Sequence, residues 1–121
     1  MKRILLVDDH PDIRRLVRLT LGKLYDITEA DNAPAALELL RQSPPDLLVA
    51  DVMMPGEIDG LGLLDAVRAD PALSALPVIM VTARGQKHDE EDAVRRGASG
   101  YVIKPFSPLA LKERIEQLIG R

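Results

Sequence analysis

The chain lacks several residue types on which common classes of function depend. None of its 121 residues is cysteine or tryptophan, and the only aromatic residues are Tyr25, Tyr101 and Phe106. Without cysteine there is no disulfide framework, zinc knuckle or thiol nucleophile. Long apolar runs are also missing, because the first run ends at Asp8 and Asp9, too early for a signal peptide or a membrane span. We therefore expect a cytoplasmic protein with no membrane partner.

A basic excess is missing as well. Sixteen basic residues stand against nineteen acidic ones, which gives a net charge of −3 and an isoelectric point near 5.3. This balance argues against direct nucleic-acid binding, which usually requires a basic face. The apolar and charged fractions, 46% and 29%, are typical of globular proteins. We expect a single domain that spans residues 1–121.

Short apolar runs alternate with stretches of helical periodicity. The apolar runs cover residues 4–7, 47–50, 78–81 and 101–103, and residues 25–30 alternate apolar and polar like an edge strand. The helical stretches cover 11–21, 33–41, 60–69, 86–96 and 108 onward. This alternation predicts an α/β fold, a doubly wound (βα)5 parallel five-stranded sheet of flavodoxin-like order 2-1-3-4-5. In the first helix, the predicted buried face consists of Ile13, Leu16, Val17, Thr20 and Leu21.

Polar residues stand where the predicted strands end: Asp8, Asp9, Asp51, Thr82 and Lys104. Because parallel strands end at one edge of the sheet, we expect these side chains to converge there. Three carboxylates in one place repel each other, and a divalent cation such as Mg²⁺ relieves that repulsion. A carboxylate nucleophile beside a metal, a lysine and a hydroxyl is a constellation for phosphoryl transfer. The end of the central third strand makes Asp51 the candidate nucleophile.

Taken singly, each of these residues also has an ordinary structural interpretation. The Asp8-Asp9 pair is typical of a helix N-cap, and Thr82 and Lys104 are typical of a strand end and a surface lysine. Convergence on one edge is what favours the functional interpretation. His10 and His88 are expected to be exposed, since neither stands in a metal-ligand spacing such as His-Glu-x-x-His.

As a set, four motifs resemble the response-regulator receiver domain of two-component signalling, including the chemotaxis regulators. They are Leu-Val-Asp-Asp-His at 6–10, Asp-Val-Met-Met-Pro at 51–55 with Asp59-Gly60, Val-Thr-Ala at 81–83, and Lys-Pro-Phe at 104–106. The resemblance covers the whole chain. It implies a phosphorylation-dependent switch that is not an enzyme, beyond its own phosphorylation and slow dephosphorylation.

The resemblance also implies roles for individual residues. Asp51 would accept the phosphoryl group from a phosphohistidine on a sensor histidine kinase or a phosphotransfer protein. The metal ligands implied for Mg²⁺ are Asp8, Asp9, Asp51 and the backbone carbonyl of Met53. Thr82 and Lys104 would contact the phosphoryl oxygens.

The resemblance also implies how the signal leaves the domain. Thr82 and the switch aromatic Tyr101 would repack the face formed by the fourth helix, fifth strand and fifth helix. That face would control a downstream effector or output domain. The resemblance further implies a cis Lys104–Pro105 peptide bond. The segment from Asp51 to Gly60 is one residue longer than the common family spacing, and we expect the site to survive this loop insertion.

Three alternatives stay open. A flavodoxin-like cofactor binder would need Ser, Thr or Gly after the first strand to hold a phosphate, where this chain has Asp8 and Asp9. A phosphatase with an aspartyl nucleophile on that strand would need Asp-x-Asp, but position 10 is His. A receiver used as a non-phosphorylated scaffold would be expected to lack phosphorylation residues that are present here.

Overall fold

The computed structural model describes residues 1–83 and 87–121. Its strands are β1 (Arg3–Val7), β2 (Asp26–Ala30), β3 (Leu47–Asp51), β4 (Val78–Ala83) and β5 (Gly100–Lys104). Its helices are α1 (Pro11–Leu21), α2 (Ala33–Gln42), α3 (Gly60–Ala69), α4 (Lys87–Arg95) and α5 (Pro108–Ile119). The predicted start of the fourth helix at Gln86 lies outside the described residues. The other elements lie within a few residues of their predicted bounds.

The five strands form one parallel sheet in the order β2-β1-β3-β4-β5, which confirms the predicted topology. The chain reverses its direction of travel across the sheet between β1 and β3, and this is where α/β sheets of this kind bind ligands. The register pairs Val7 with Ala50, Asp51 with Val81, and Thr82 with Ile103. The strands therefore end at nearly the same level, and the residues that follow them are brought side by side.

The core has two halves, one on each face of the sheet. Alternate strand residues pack with α1 and α5 on one face and with α2, α3 and α4 on the other. All residues of β3 are buried, as is required of a central strand covered on both faces. Within the described residues, no helix has both the length and the apolarity that crossing a bilayer demands.

Polar side chains begin three of the helices by accepting backbone hydrogen bonds that the helix leaves unpaired. Asn32 accepts from the N–H of Ala35 at the start of α2. Asp59 caps α3 and Ser107 caps α5 in the same way. The caps fix where each helix begins, and Asp59 thereby fixes the return of the chain toward the end of β3.

The predicted buried face of α1 is only partly correct. Val17 and Leu21 are buried, but Leu16 is 40% exposed and Thr20 is also exposed. The Thr20 hydroxyl donates to the carbonyl oxygen of Leu16, one turn earlier. Helix α1 is therefore buried along a narrower stripe than its periodicity predicts, and among the described residues α5 packs beside it on this face of the sheet. The predicted cis Lys104–Pro105 bond is confirmed.

Candidate functional site

The carboxyl edge of the sheet, where all five strands end, brings two acids and a lysine into contact. Lys104 Nζ lies 2.8 Å from Asp51 Oδ2 and 3.1 Å from Asp8 Oδ2. Asp8 and Asp51 are almost fully buried, at 1% and 3% exposure. Residues that are 96 positions apart in the chain thus form one charged cluster, as the strand-end argument predicts.

Asp9 and His10 complete this cluster on its exposed side. His10 Nδ1 lies 2.9 Å from Asp8 Oδ1, 3.2 Å from Asp9 Oδ1 and 3.9 Å from Asp51 Oδ2. One donor atom from each of these four residues lies within 4.8 Å of every other. The expected exposure of His10 is confirmed, since 58% of its side chain is accessible, but its place in the site is not predicted from the sequence. The signal lay in His10-Pro11, because a residue before proline is held extended.

Burial and charge perturb the titration of the two central groups. Burial raises the pKa of Asp51 above its ordinary value, and the charge of Asp8 raises it further, against the lowering effect of Lys104. Burial alone would lower the pKa of Lys104, but hydrogen bonds and charge from Asp51 and Asp8 outweigh it, so that pKa is raised. The ammonium therefore stays charged, while the carboxylate it contacts is held in an unfavourable environment.

Thr82 is placed at this edge without touching the charged cluster. Its register partner is Ile103, and its side chain alternates onto the face that carries Met80, opposite to the face of Asp51 and Lys104. Thr82 is fully buried, and its hydroxyl oxygen has no hydrogen-bond partner among residues 1–83 and 87–121. A buried hydroxyl without a hydrogen-bond partner costs free energy, and few such groups occur in native proteins.

The loop after β3 is held against the site by its backbone. The N–H of Met53 donates to Asp51 Oδ1 at 3.1 Å, and the N–H of Gly60 donates to the carbonyl of Val52. A Cβ on Gly60 would lie 1.8 Å from the carbonyl oxygen of Asp51, so only glycine fits there. The residues between Asp51 and Gly60 form the loop that connects β3 to α3. Coordination through the Met53 carbonyl stays a prediction.

Tyr101 lies on the exposed surface beyond Thr82. It is 36% exposed, and its register partner is Met80, two residues before Thr82 on the same face of the sheet. It borders a groove of about 470 Å³ against α4 and another of about 480 Å³ against α5. The side chain thus stands between the buried hydroxyl and an open surface formed by α4, β5 and α5, called the output face below.

The donor set of the cluster fits a hard divalent cation. Asp8, Asp9 and Asp51 offer carboxylate oxygens that converge without a matching number of positive groups. Mg²⁺ is held in proteins by one or two carboxylates, water and phosphate oxygen. A bound cation would offset the repulsion between Asp8 and Asp51 and remove part of the cost of burying them.

Comparison with known proteins identifies the family to which this fold belongs. The family model for the response regulator receiver domain matches residues 4–116. The chain belongs to this family. The predicted membership is thereby confirmed, and receiver domains are signalling proteins of two-component systems rather than conventional enzymes.

Relatives of this receiver domain occur both as short chains and as parts of longer ones. The chemotaxis protein CheY of Pseudomonas aeruginosa is 43% identical, with 98% of this chain and 97% of that protein covered. The structure of Vibrio cholerae chemotaxis protein CheY4 has a TM-score of 0.89 at 28% identity and 98% coverage of both chains. A structure of NtrX from Brucella abortus matches 98% of this chain but 26% of its own, with a TM-score of 0.90 and 33% identity.

Proposed function

We propose that this receiver domain is a switch that is phosphorylated on Asp51. The observation that carries the proposal is the contact between Asp51 and Lys104, a buried carboxylate held by an ammonium at the end of the central strand. An anionic phosphoryl group entering here finds a nucleophile and a cation already in place. The fold does not require the other polar groups at this edge, Asp8, Asp9 and Thr82. Phosphorylation of Asp51 would give each of them a role.

The chemistry follows from the positions of these side chains. A carboxylate oxygen of Asp51 attacks phosphorus, the P–N bond of a phosphohistidine donor breaks, and the displaced imidazole nitrogen keeps the electron pair. Lys104 pairs with the phosphoryl oxygens as their charge develops. The Thr82 hydroxyl donates a hydrogen bond to one of these oxygens, which gives it the partner that it lacks among the described residues.

The acids beside Asp51 are assigned to metal binding. Asp8, Asp9 and Asp51, with the Met53 carbonyl, would hold Mg²⁺, which when bound neutralises negative charge on the incoming phosphoryl group. Asp8 and Asp9 end β1 directly beside β3, so both are within reach of a cation next to Asp51. The same acids would otherwise oppose phosphorylation by repelling the phosphoryl oxygens.

Output is assigned to Thr82 and Tyr101. Movement of the Thr82 hydroxyl toward a phosphoryl group leaves space on the face that it shares with Tyr101. Tyr101 then turns inward and reshapes both grooves of the output face. This is a shift between two packings that a local charge event biases.

The partners that fit this role are a histidine kinase or phosphotransfer protein as donor and an effector or output domain as receiver of the signal. The relatives named above include both chemotaxis proteins and a longer NtrX chain. We place the protein in the cytoplasm, which is where a cysteine-free domain of this family is expected to act.

The phosphorylation proposal is tested with acetyl phosphate and Mg²⁺, followed by intact-protein mass spectrometry. Wild-type protein gains one phosphoryl group, and D51N gains none. The matched control is D46N, the same substitution at an exposed position beyond the site, which phosphorylates normally. Uptake by D51N would move the acceptor elsewhere. No uptake by wild type would favour a scaffold domain.

The proposed movement of Tyr101 is tested by ¹⁹F NMR of protein labelled with 3-fluorotyrosine. In phosphorylated wild-type protein, the ¹⁹F signal of 3-fluorotyrosine at position 101 moves toward a buried environment, whereas that of Tyr25, which is already fully buried, does not. T82A uncouples the Tyr101 signal from phosphorylation. A Tyr101 signal that does not respond to phosphorylation would exclude this output route.

A further inference from the structure

Two arginines of α1, Arg14 and Arg18, share one acidic partner on the edge strand β2. They are four residues apart, so their side chains lie on the same face of the helix. Arg14 Nε donates to Glu29 Oε1 at 3.2 Å, and Arg18 Nε donates to the other carboxylate oxygen, Oε2. Glu29 lies on the same face of the sheet as Ile27, which is the face on which α1 packs. The two ion pairs therefore hold α1 against β2.

The two arginines differ in the backbone carbonyl that each one contacts. Arg18 Nη2 donates to the carbonyl oxygen of Ile27, within β2, at 3.0 Å. Arg14 Nη1 donates to the carbonyl oxygen of Asp8 at 2.7 Å. The Arg14 side chain is 19% exposed, against 50% for that of Arg18. Arg14 thus reaches from α1 to the back of the candidate site, whereas the contacts of Arg18 remain on β2.

The Asp8 carbonyl lies just beyond the point where the pairing of β1 with β2 ends. The N–H of Asp8 donates to the carbonyl of Ala30 at 3.2 Å, and Ala30 is the last residue of β2. The Arg14 guanidinium provides the donor for the next polar group of the chain, the Asp8 carbonyl. Because a peptide group is planar, a fixed Asp8 carbonyl also fixes the amide of Asp9 and the direction in which the chain leaves β1.

The carboxylate of Asp9 depends on this backbone more than that of Asp8 does. The Asp8 carboxylate contacts Lys104 Nζ at 3.1 Å and accepts from the N–H of His10. Asp9 Oδ1 is buried and has no hydrogen-bond partner anywhere in the described part of the chain. The place of the Asp9 carboxylate beside Asp8 is therefore set by the main chain that Arg14 contacts.

We propose that Arg14 is a positioning residue, which holds the Asp8–Asp9 backbone so that both carboxylates are in place for a divalent cation. The inference rests on the proposed function and adds to it a residue from outside the charged cluster. Groups just beyond the ligands of a metal orient those ligands, and their loss commonly weakens metal binding or activity about 10- to 100-fold. Arg14 holds the main chain of the ligands, so we expect an effect near the lower end of this range.

Arg18 offers a matched control for this proposal. R14M and R18M each lose one contact with Glu29 and one with a backbone carbonyl, and methionine keeps an apolar stem in both. Only R14M loses the contact with Asp8. Weaker attachment of α1 therefore lowers the stability of both variants, which urea unfolding measures, whereas an effect on the site is confined to R14M.

The first measurement is made on metal-free protein in EDTA. The ¹³C resonance of the Asp8 carbonyl moves in R14M, because that carbonyl loses its donor, and stays in place in R18M. The second is a calorimetric titration with Mg²⁺ in the absence of phosphoryl donor. R14M is expected to bind Mg²⁺ about tenfold more weakly than wild type, and R18M within about twofold of it.

The third measurement is the initial rate of phosphorylation by acetyl phosphate as Mg²⁺ is varied. In R14M the half-saturating Mg²⁺ concentration rises about tenfold, while the rate at saturating Mg²⁺ falls by less than about threefold. The rate is largely restored because a bound cation itself holds the two carboxylates together. A general weakening of the fold would not produce this separation between the two parameters.

Equal effects in R14M and R18M would overturn the proposal, as would an Asp8 carbonyl resonance that does not move in R14M. A tenfold loss that disappears in about 0.5 M salt would also overturn it, since screening removes a long-range charge effect but not a direct contact. Phosphorylation of Asp51 in wild type, with R14M and R18M alike, refutes this inference alone. Weaker Mg²⁺ binding confined to R14M, with no phosphorylation of Asp51, refutes the proposed function alone, and wild type that binds no Mg²⁺ refutes both.

Discussion

The two edges of the sheet differ in how well their polar groups are paired. At the carboxyl edge, like charges are crowded together and the Thr82 hydroxyl has no partner within the described part of the chain. At the amino edge, where the strands begin, polar groups are matched to partners. Arg68 donates to the carbonyl oxygens of Gly97, Ser74 and Leu76, and Tyr25 donates to that of Gly120.

At the amino edge, arginine side chains link neighbouring segments of the chain by hydrogen bonds. Arg68 joins the end of α3 to the segments that lead into β4 and β5, and its partners among residues 1–83 and 87–121 are carbonyl and hydroxyl oxygens. Arg3 does the same between β1 and the segment before β3, through Ser43 and Pro44. Such contacts stabilise the fold at every stage of a signalling cycle, because none of them involves a group that a ligand would change.

The carboxyl edge instead keeps unfavourable contacts that a ligand can relieve. Its own burial raises the pKa of Asp51, and the charge of Asp8 raises it further. The buried hydroxyl of Thr82 has no hydrogen-bond partner among the residues that the structure describes. Strain of this kind is retained where it serves function. The following variants test the two edges, from the largest expected effect to the smallest. A difference in sign between the edges is expected only where an acidic side chain is neutralised.

The largest effect is expected at the close approach behind Asp51. In G60A the new Cβ meets the Asp51 carbonyl oxygen at 1.8 Å, so the backbone of β3 or α3 has to shift. We expect a loss of about 3 kcal/mol in the free energy of unfolding, measured in urea. G62A is the control two residues later, where a Cβ would meet side-chain atoms rather than backbone, Ile58 Cγ2 at 3.0 Å and Asp59 Oδ1 at 3.4 Å. Equal effects of the two variants would contradict the close-approach argument.

The next effect is expected at the amino edge. R68A removes donors from three carbonyl groups and from the Ser99 hydroxyl, and should cost about 2–3 kcal/mol. R68K does not restore this stability, because one ammonium cannot reproduce the geometry of a guanidinium. R41A, at an exposed position of α2, should stay within about 0.5 kcal/mol of wild type. If R68A loses no more stability than R41A, the Arg68 hydrogen bonds do not stabilise this edge.

Much of this contrast is present in the sequence. Strand–helix alternation predicts the sheet order, and the strand-end positions of Asp8, Asp51 and Lys104 predict their convergence. What periodicity does not encode is which side chains meet across elements. The Arg68 contacts depend on loops whose paths the pattern leaves open, and the exposure of Leu16 depends on how narrowly α1 lies against the sheet. His10 was missed because its ring direction follows from backbone geometry rather than from ligand spacing.

The smallest effect is expected when an acid is neutralised at each edge. The change in the free energy of unfolding should then have opposite signs at the two edges. D51N removes a buried charge that Asp8 opposes, although it also weakens the bond to Lys104, so without metal we expect a gain of up to about 1 kcal/mol near pH 7. D46N weakens the bond that Asp46 accepts from the N–H of Arg3 and should lose about 0.5 kcal/mol. Urea unfolding in EDTA measures both variants.

The pH dependence separates this charge effect from any packing effect. A carboxyl whose pKa is raised by folding favours the folded state most when pH is below its unfolded value, 3.8, and that stability is lost as pH rises through the folded pKa. Between pH 4 and pH 7, the free energy of unfolding of wild type should therefore decrease relative to that of D51N. A difference that is constant over this range would exclude the burial of charge as its cause. Addition of Mg²⁺ should then reverse the order at pH 7, because binding stabilises the folded chain that keeps all three carboxylates, by about 2.7 kcal/mol at 100 times the dissociation constant.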